Sequence, residues 1–257
     1  MSDTVHRAAA AGYATSADTY AAGRPDYPAE VGPWLHDTLG LGPGRTALEV
    51  GAGTGKFLPR LIETGARVMA LEPVDAMRDL LAARYPQVVA IAGTAQAIPL
   101  DDASVDALVC AQSFHWFADR AALDEMRRVL RPGGTLGLIW NVRDERVPWM
   151  AALETLVEPY AGDAPRYRSG AWRKLFPADG FAALPERRVP HAHVGDPERV
   201  IVDRTLSVSF VAALPPAERA KIAAKVRALI ATTPELAGRD AISFPYETRM
   251  FAWRRTG

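Results

Sequence analysis

Cysteine is nearly absent: the 257 residues contain a single one, Cys110. One thiol excludes an intrachain disulfide and a cysteine-only metal cluster. An excess of charge of one sign is also missing. The 30 basic and 30 acidic residues give a formal net charge of zero, without the basic excess or stripe usual in a nucleic-acid binder. The pair Arg187-Arg188 reads as ordinary surface charge. No run of about eighteen apolar residues occurs, and no leading apolar stretch of signal-peptide kind. A soluble, cytoplasmic protein with no membrane or nucleic-acid partner is therefore the expectation. His191 and His193 share a strand face by their spacing of two, but no third ligand at a sensible spacing joins them, and no metal is expected. The length permits one large α/β domain with a small addition.

What is present is concentrated in Thr46 to Thr64, TALEVGAGTGKFLPRLIET. A short apolar run, Ala47 to Val50, leads into Gly51, Gly53 and Gly55. An amphipathic segment follows, with Phe57, Leu58, Leu61 and Ile62 on one side. The pattern predicts strand, glycine turn, helix, the opening of a nucleotide-type site in an α/β sheet, where glycines let backbone approach a ligand. A dinucleotide fingerprint would need glycine at 56, which is Lys56. A P-loop would need glycine at 50 and Ser or Thr at 57, which are Val50 and Phe57. Neither fits. The remaining feature is an acid, Glu49, just before the first glycine, which suits a positively charged, amino-acid-bearing ligand better than a pyrophosphate.

Glu49-Val-Gly-Ala-Gly-Thr-Gly55 resembles the first motif of class I S-adenosylmethionine-dependent methyltransferases. Several further stretches, in order over roughly residues 13 to 140, carry the same resemblance. Tyr20-x-x-x-Arg24-Pro-x-Tyr27-Pro28 and Gln112-x-x-His115-Trp116-Phe117 are similar to a small-molecule subgroup that includes trans-aconitate methyltransferase-like enzymes. Pro99 to Asp106 and Val129-Leu-Arg-Pro-Gly-Gly134 match the family's turns before the fourth and fifth strands. The resemblance implies a Rossmann-like, seven-stranded mixed sheet, mostly parallel with an antiparallel last strand, helices on both faces and a helical cap. It implies S-adenosyl-L-methionine as cofactor and a small-molecule substrate.

The implied cofactor set is Tyr20, Arg24, Glu49, Gly51, Ala52, Gly53, Gly55, Glu72, Pro73, Met77, Thr94, Ala95, Gln96, Gln112 and Ser113. Arg24 would pair with the cofactor's carboxylate, since a guanidinium fork matches two oxygens. Glu72, at the tip of the second strand, can accept ribose hydroxyls in many adenosine binders. Met77 would pack on the adenine, or is simple core. Ala95-Gln96 would read the adenine edge, with Gln where an acid is usual; its carbonyl can still accept from an amine. Gln112 and Ser113 would border the transfer site. His115 suits a general base, or else is a structural or capping histidine. His115 and Tyr20 are the catalytic candidates. Trp116, Trp140, Asn141, Tyr167 and Trp172 join His115 as substrate candidates, the middle pair by falling at a strand end.

The expected organisation is an N-terminal lid over 1–27, a cofactor-binding half over 28–145, a helical cap over 146–180 and a completing segment over 181–257. Rival readings are an NAD-dependent oxidoreductase, disfavoured by Lys56, and a non-catalytic S-adenosylmethionine-binding protein. Methylation of nucleic acid or protein is disfavoured by the neutral charge. Monomer and homodimer are both open.

Overall fold

The computed structural model describes residues 24–257. Short apolar runs become strands covered on both faces. In β4, Val105–Ala111, all seven residues are buried, as a central parallel strand requires. β1, Thr46–Val50, lies between β2, Arg67–Leu71, and β4, parallel to both. β3, Val89–Ile91, extends the parallel set beyond β2. β5, Leu130–Arg143, runs parallel to β4 on the other side. β6, Phe181–Ala183, pairs antiparallel with β8, Ile242–Arg255. The sheet order is β3-β2-β1-β4-β5-β8-β6. This is the expected Rossmann-like mixed sheet. An eighth strand, β7 (Arg187–Gly195), pairs with β8. Its strictly half-buried alternation gives a weaker sequence signal than a buried strand.

The expected turn at Arg131 to Gly134 is found inside β5. Val105 pairs with Leu130 and Ala107 with Thr135, so the intervening residues bulge outward. Gly134 is required there, because a Cβ would stand 2.8 Å from the carbonyl oxygens of both Arg131 and Asp106.

Helices α1 (Leu58–Ile62), α2 (Asp75–Arg84) and α3 (Arg120–Val129) connect the parallel strands. α3 starts where Asp119 caps it, its carboxylate accepting from Ala122 N–H at 2.7 Å. Within the stretch expected as a helical cap, 146–180, lies α4, Pro148–Val157, followed by short 3₁₀ turns. The proline- and glycine-rich run from Pro159 to Gly170 breaks the helical ladder. α5, Pro216–Thr232, is the longest helix among the described residues.

Two compact units are distinguished. Among the described residues, the first comprises 24–26, 142–164 and 190–247, and the second 27–141, 165–189 and 248–257. The second unit's core sets Trp34, Leu35, Phe57 and Leu61 among alternate strand residues such as Ala47, Val68, Ala107 and Val109. The first unit's core gathers Met150, Leu153 and Val157 of α4 with Ile201, Val211, Ile222, Val226 and Phe244. Among the described residues no helix is long and apolar enough to cross a membrane, and no group of three or more His, Cys, Asp or Glu side chains is placed to hold a metal ion.

Candidate active site

The glycine turn leaves β1 at the carboxyl edge of the sheet, where open α/β folds place ligands. Gly51 and Ala52 donate their N–H groups to the Leu71 carbonyl at 2.9 and 3.2 Å, tying the turn to the end of β2. Gly51, Gly53 and Gly55 have φ of 70°, 57° and 80°, a region that favours glycine. Two of them are needed by the protein's own packing. A Cβ on Gly51 would meet Ser113 Cβ at 2.8 Å, and one on Gly55 would meet Leu58 and the Tyr85 ring at 2.8 Å. Gly53 differs: the nearest atom to its missing Cβ is Met77 Sδ at 4.0 Å. Its chain neighbours aside, no other described residue comes within 4 Å of that position.

Two carboxylates flank this turn. Glu72 is buried; one oxygen accepts from Gly53 N–H at 2.8 Å and the other from Val74 N–H at 3.0 Å. Burial raises its carboxyl above the ordinary range, while those two N–H groups and Arg78 restrain the rise. Glu49 is buried too, and its Oε2 has no hydrogen-bond partner. Burial, and then the nearby Glu72 charge, push its carboxyl well above the usual carboxylate range.

The loop after β3 is pinned from below. Ala97 N–H donates to Thr94 O at 3.1 Å, and Ile98 N–H to Glu125 at 2.9 Å. Ala95 is buried. The Gln96 amide nitrogen donates to Asp119 Oδ2 at 2.8 Å. This fixes the amide plane and turns the Gln96 carbonyl away from Asp119. Asp119 was not among the sequence candidates; its position just before α3 is an N-cap signature.

β4 ends at Gln112, which has φ of 57°. A long side chain in the left-handed region is uncommon and marks strain held by its surroundings. Here Gln112 N–H donates to Ile139 O at 2.9 Å and its side-chain amide to Asn141 O at 3.3 Å. The Asn141 side chain in turn accepts from Thr248 at 2.6 Å. Ser113 donates to Val50 O at 2.7 Å, closing the ends of β4 and β1 together beneath Gly51. Nothing in residue type announced the Gln112 conformation.

His115 and Trp116 stand on a 3₁₀ turn, Phe114–Trp116, their rings 5.2 Å apart. Trp140 Nε1 donates to His115 Nδ1 at 3.2 Å. An indole nitrogen only donates, so Nδ1 is the acceptor and the neutral ring carries its proton on Nε2. Trp140 also packs, its ring tilted, 5.0 Å from Tyr167 and 4.7 Å from Trp172. Trp172 is 2% exposed and donates to Tyr167 O, which makes it a support for its neighbours. The Tyr167 hydroxyl accepts from Arg173 at 3.3 Å and Arg249 at 3.4 Å. The second unit therefore assembles Glu49, the turn, Glu72, Met77, the Thr94–Gln96 loop and the β4 end. Pro73 follows Glu72 directly. Arg24 belongs to the first unit, donating to Ser207 O at 3.3 Å. Tyr20 lies outside the described residues.

Residues 48–138 match the family described as a methyltransferase domain. A methyltransferase-like protein of Schizosaccharomyces pombe, uncharacterized by its name, is 39% identical, the match covering 93% of this chain and 94% of that one. The chain belongs to this methyltransferase family. An uncharacterized methyltransferase of Mycobacterium tuberculosis is likewise 39% identical, with 92% of each chain covered. A solved structure from Anaeromyxobacter dehalogenans, provisionally named a type II methyltransferase, superposes with a TM-score of 0.63 at 25% identity, over 91% of this chain and 97% of that one. The methyltransferase domain is of class I, S-adenosylmethionine-dependent type, and its family match spans the turn, both carboxylates, the adenine-side loop and the β4 end.

Proposed function

We propose that this protein transfers a methyl group from S-adenosylmethionine to a small-molecule acceptor, in line and without a metal. The observation that carries the reading is the buried, unpartnered Glu49 Oε2 beside the open backbone of Gly53 and the Glu72 carboxylate. An orphaned carboxylate oxygen costs free energy unless a donor reaches it, and a cationic amino-acid end supplies one. Glu72 retains lone pairs for ribose hydroxyls, since each oxygen accepts one backbone N–H and has room for a second donor. Met77 and Gln96 would receive the base. The residues present fit the cofactor, which supplies, when bound, a methyl group on a sulfonium that is already a good leaving group. The chain's own work is then alignment and exclusion of water.

Tyr20 and Arg24 are assigned to the cofactor's methionine end on the strength of the Tyr-x-x-x-Arg-Pro-x-Tyr-Pro motif. That motif and Gln112-x-x-His-Trp-Phe also support a place beside the trans-aconitate methyltransferase-like enzymes. Arg24→Ala is expected to weaken S-adenosylhomocysteine binding at least about tenfold, the scale of one charge-assisted hydrogen bond. Unchanged affinity in calorimetry would remove this assignment. His115, Trp116, Trp140, Asn141 and Tyr167 are assigned to the acceptor side, with Trp172 behind them. In the tautomer set by Trp140 the neutral His115 carries its proton on Nε2; to act as base from that nitrogen the ring must give up the Trp140 bond. His115→Ala is expected to depress turnover far more than cofactor affinity. Equal, mild effects on both would leave the residue structural.

Parallel calorimetric titrations with S-adenosylmethionine, S-adenosylhomocysteine and NAD test the whole reading. Binding of the first two and not the third is the expected result. Binding of NAD alone would replace the reading with an oxidoreductase.

A further inference from the structure

The first unit holds an arginine whose charge no carboxylate answers. Arg204 opens the helical turn Arg204–Leu206, directly after the π-helical segment Glu198–Asp203. Its Nε donates to the Tyr246 hydroxyl at 3.1 Å. Its Nη1 is shielded from solvent and has no hydrogen-bond partner, although the residue as a whole stays partly exposed. Removal from water pushes its guanidinium down to about 10; the Arg143 and Arg24 charges add to the push, and Tyr246 opposes it. Arg143 is different in kind. It pairs with Glu154 at 2.8 Å, both side chains largely buried, and lies over the Phe244 ring. Arg204 has no carboxylate bonded to it among the described residues.

A buried guanidinium without a counter-ion destabilises a fold. Retaining one there, with further positive charge beside it, is a local conflict of the kind that marks a binding site. The Tyr246 hydroxyl accepts from Arg204, so its own hydrogen is available to donate. Nη1 and that hydroxyl are two donors with matched polarity.

We infer that Arg204 and Tyr246 form a binding site for a small oxyanion, a carboxylate or phosphate group carried by a free small molecule. The guanidinium fork suits both oxyanions. The site stands whether or not the protein transfers methyl groups, because it uses neither the glycine turn nor Glu49 or Glu72.

The test titrates the full chain with citrate and with inorganic phosphate, against chloride at matched ionic strength, by calorimetry and thermal unfolding. It compares the natural protein with Arg204→Met and Tyr246→Phe. At least one oxyanion is expected to bind and raise the melting temperature, and the arm that does so names the group. Arg204→Met should weaken that binding at least about tenfold, and Tyr246→Phe by less. Without anion, Arg204→Met should melt at or above the natural temperature, since it removes an uncompensated buried charge. Failure of both anions to bind, or equal binding to Arg204→Met, would overturn the site. So would loss of anion binding in saturating S-adenosylhomocysteine, because the anion would then be filling the place of the cofactor's own carboxylate.

Discussion

Gly51→Ala should cost both stability and cofactor binding, whereas Gly53→Ala should cost mainly binding. At Gly51 the left-handed backbone penalises a side chain by about 1–2 kcal/mol, and forced overpacking adds about 1–3 kcal/mol. The new methyl would stand 2.8 Å from Ser113 Cβ and 3.1 Å from the Phe117 ring. Ser113 cannot easily give way, because its hydroxyl holds the Val50 carbonyl and it follows the strained Gln112. Gly53 carries the same backbone penalty but no clash, its nearest neighbour being Met77 Sδ at 4.0 Å. Any large additional loss of S-adenosylhomocysteine affinity in Gly53→Ala therefore reports a ligand lying on that backbone. Urea unfolding and calorimetry on the two variants separate the cases. Full affinity in Gly53→Ala would show that no ligand lies there.

Glu49→Gln should make the protein more stable at pH above the ordinary carboxylate range and a much poorer cofactor binder. In the folded protein the Glu49 carboxyl sits well above its ordinary 4.5 because it is buried and faces Glu72. A raised carboxyl binds its proton more tightly folded than unfolded. The folded state is thus favoured most below about 4.5, and that advantage is lost as pH rises through the folded value. Glutamine cannot ionise, so this part of the pH slope should vanish, leaving the smaller contribution of Glu72, which is also raised. Relief of an unsatisfied buried charge is worth about 1–3 kcal/mol. That corresponds to roughly 2–10 °C in melting temperature for a chain of this size. Binding should move the other way, weakening at least about tenfold as the charge-assisted bond is lost. A pH series of melting curves, with and without S-adenosylhomocysteine, reads both. A variant that gains stability and keeps its affinity would make Glu49 a core residue of the sheet edge.

Local pattern was enough for the parallel strands, the glycine turn and the helix after Asp119, because each is dictated within a few residues. β4 keeps six apolar residues of seven, Asp106 being the exception, and ends where polar residues begin. The family followed from ordered motifs, and with it a list of site residues. What only the tertiary structure decided concerns groups whose meaning depends on distant partners. Gly51 and Gly53 look alike in sequence, yet one is held by Ser113 and the other meets, among the described residues, only Met77 Sδ at 4.0 Å. Gln112 is forced into a left-handed backbone by strands that flank it. The tautomer of His115 is set by Trp140, on the neighbouring strand. Residues 142–164 and 165–189, adjacent in the chain, fall into different compact units. Arg204 reads in sequence as one more surface arginine; its unanswered charge exists only because folding brings Tyr246, Arg143 and Arg24 around it and, among the described residues, no bonded carboxylate. Periodicity records which face of an element is apolar, whereas a charge, a clash or a proton position is settled by what the fold carries up against it.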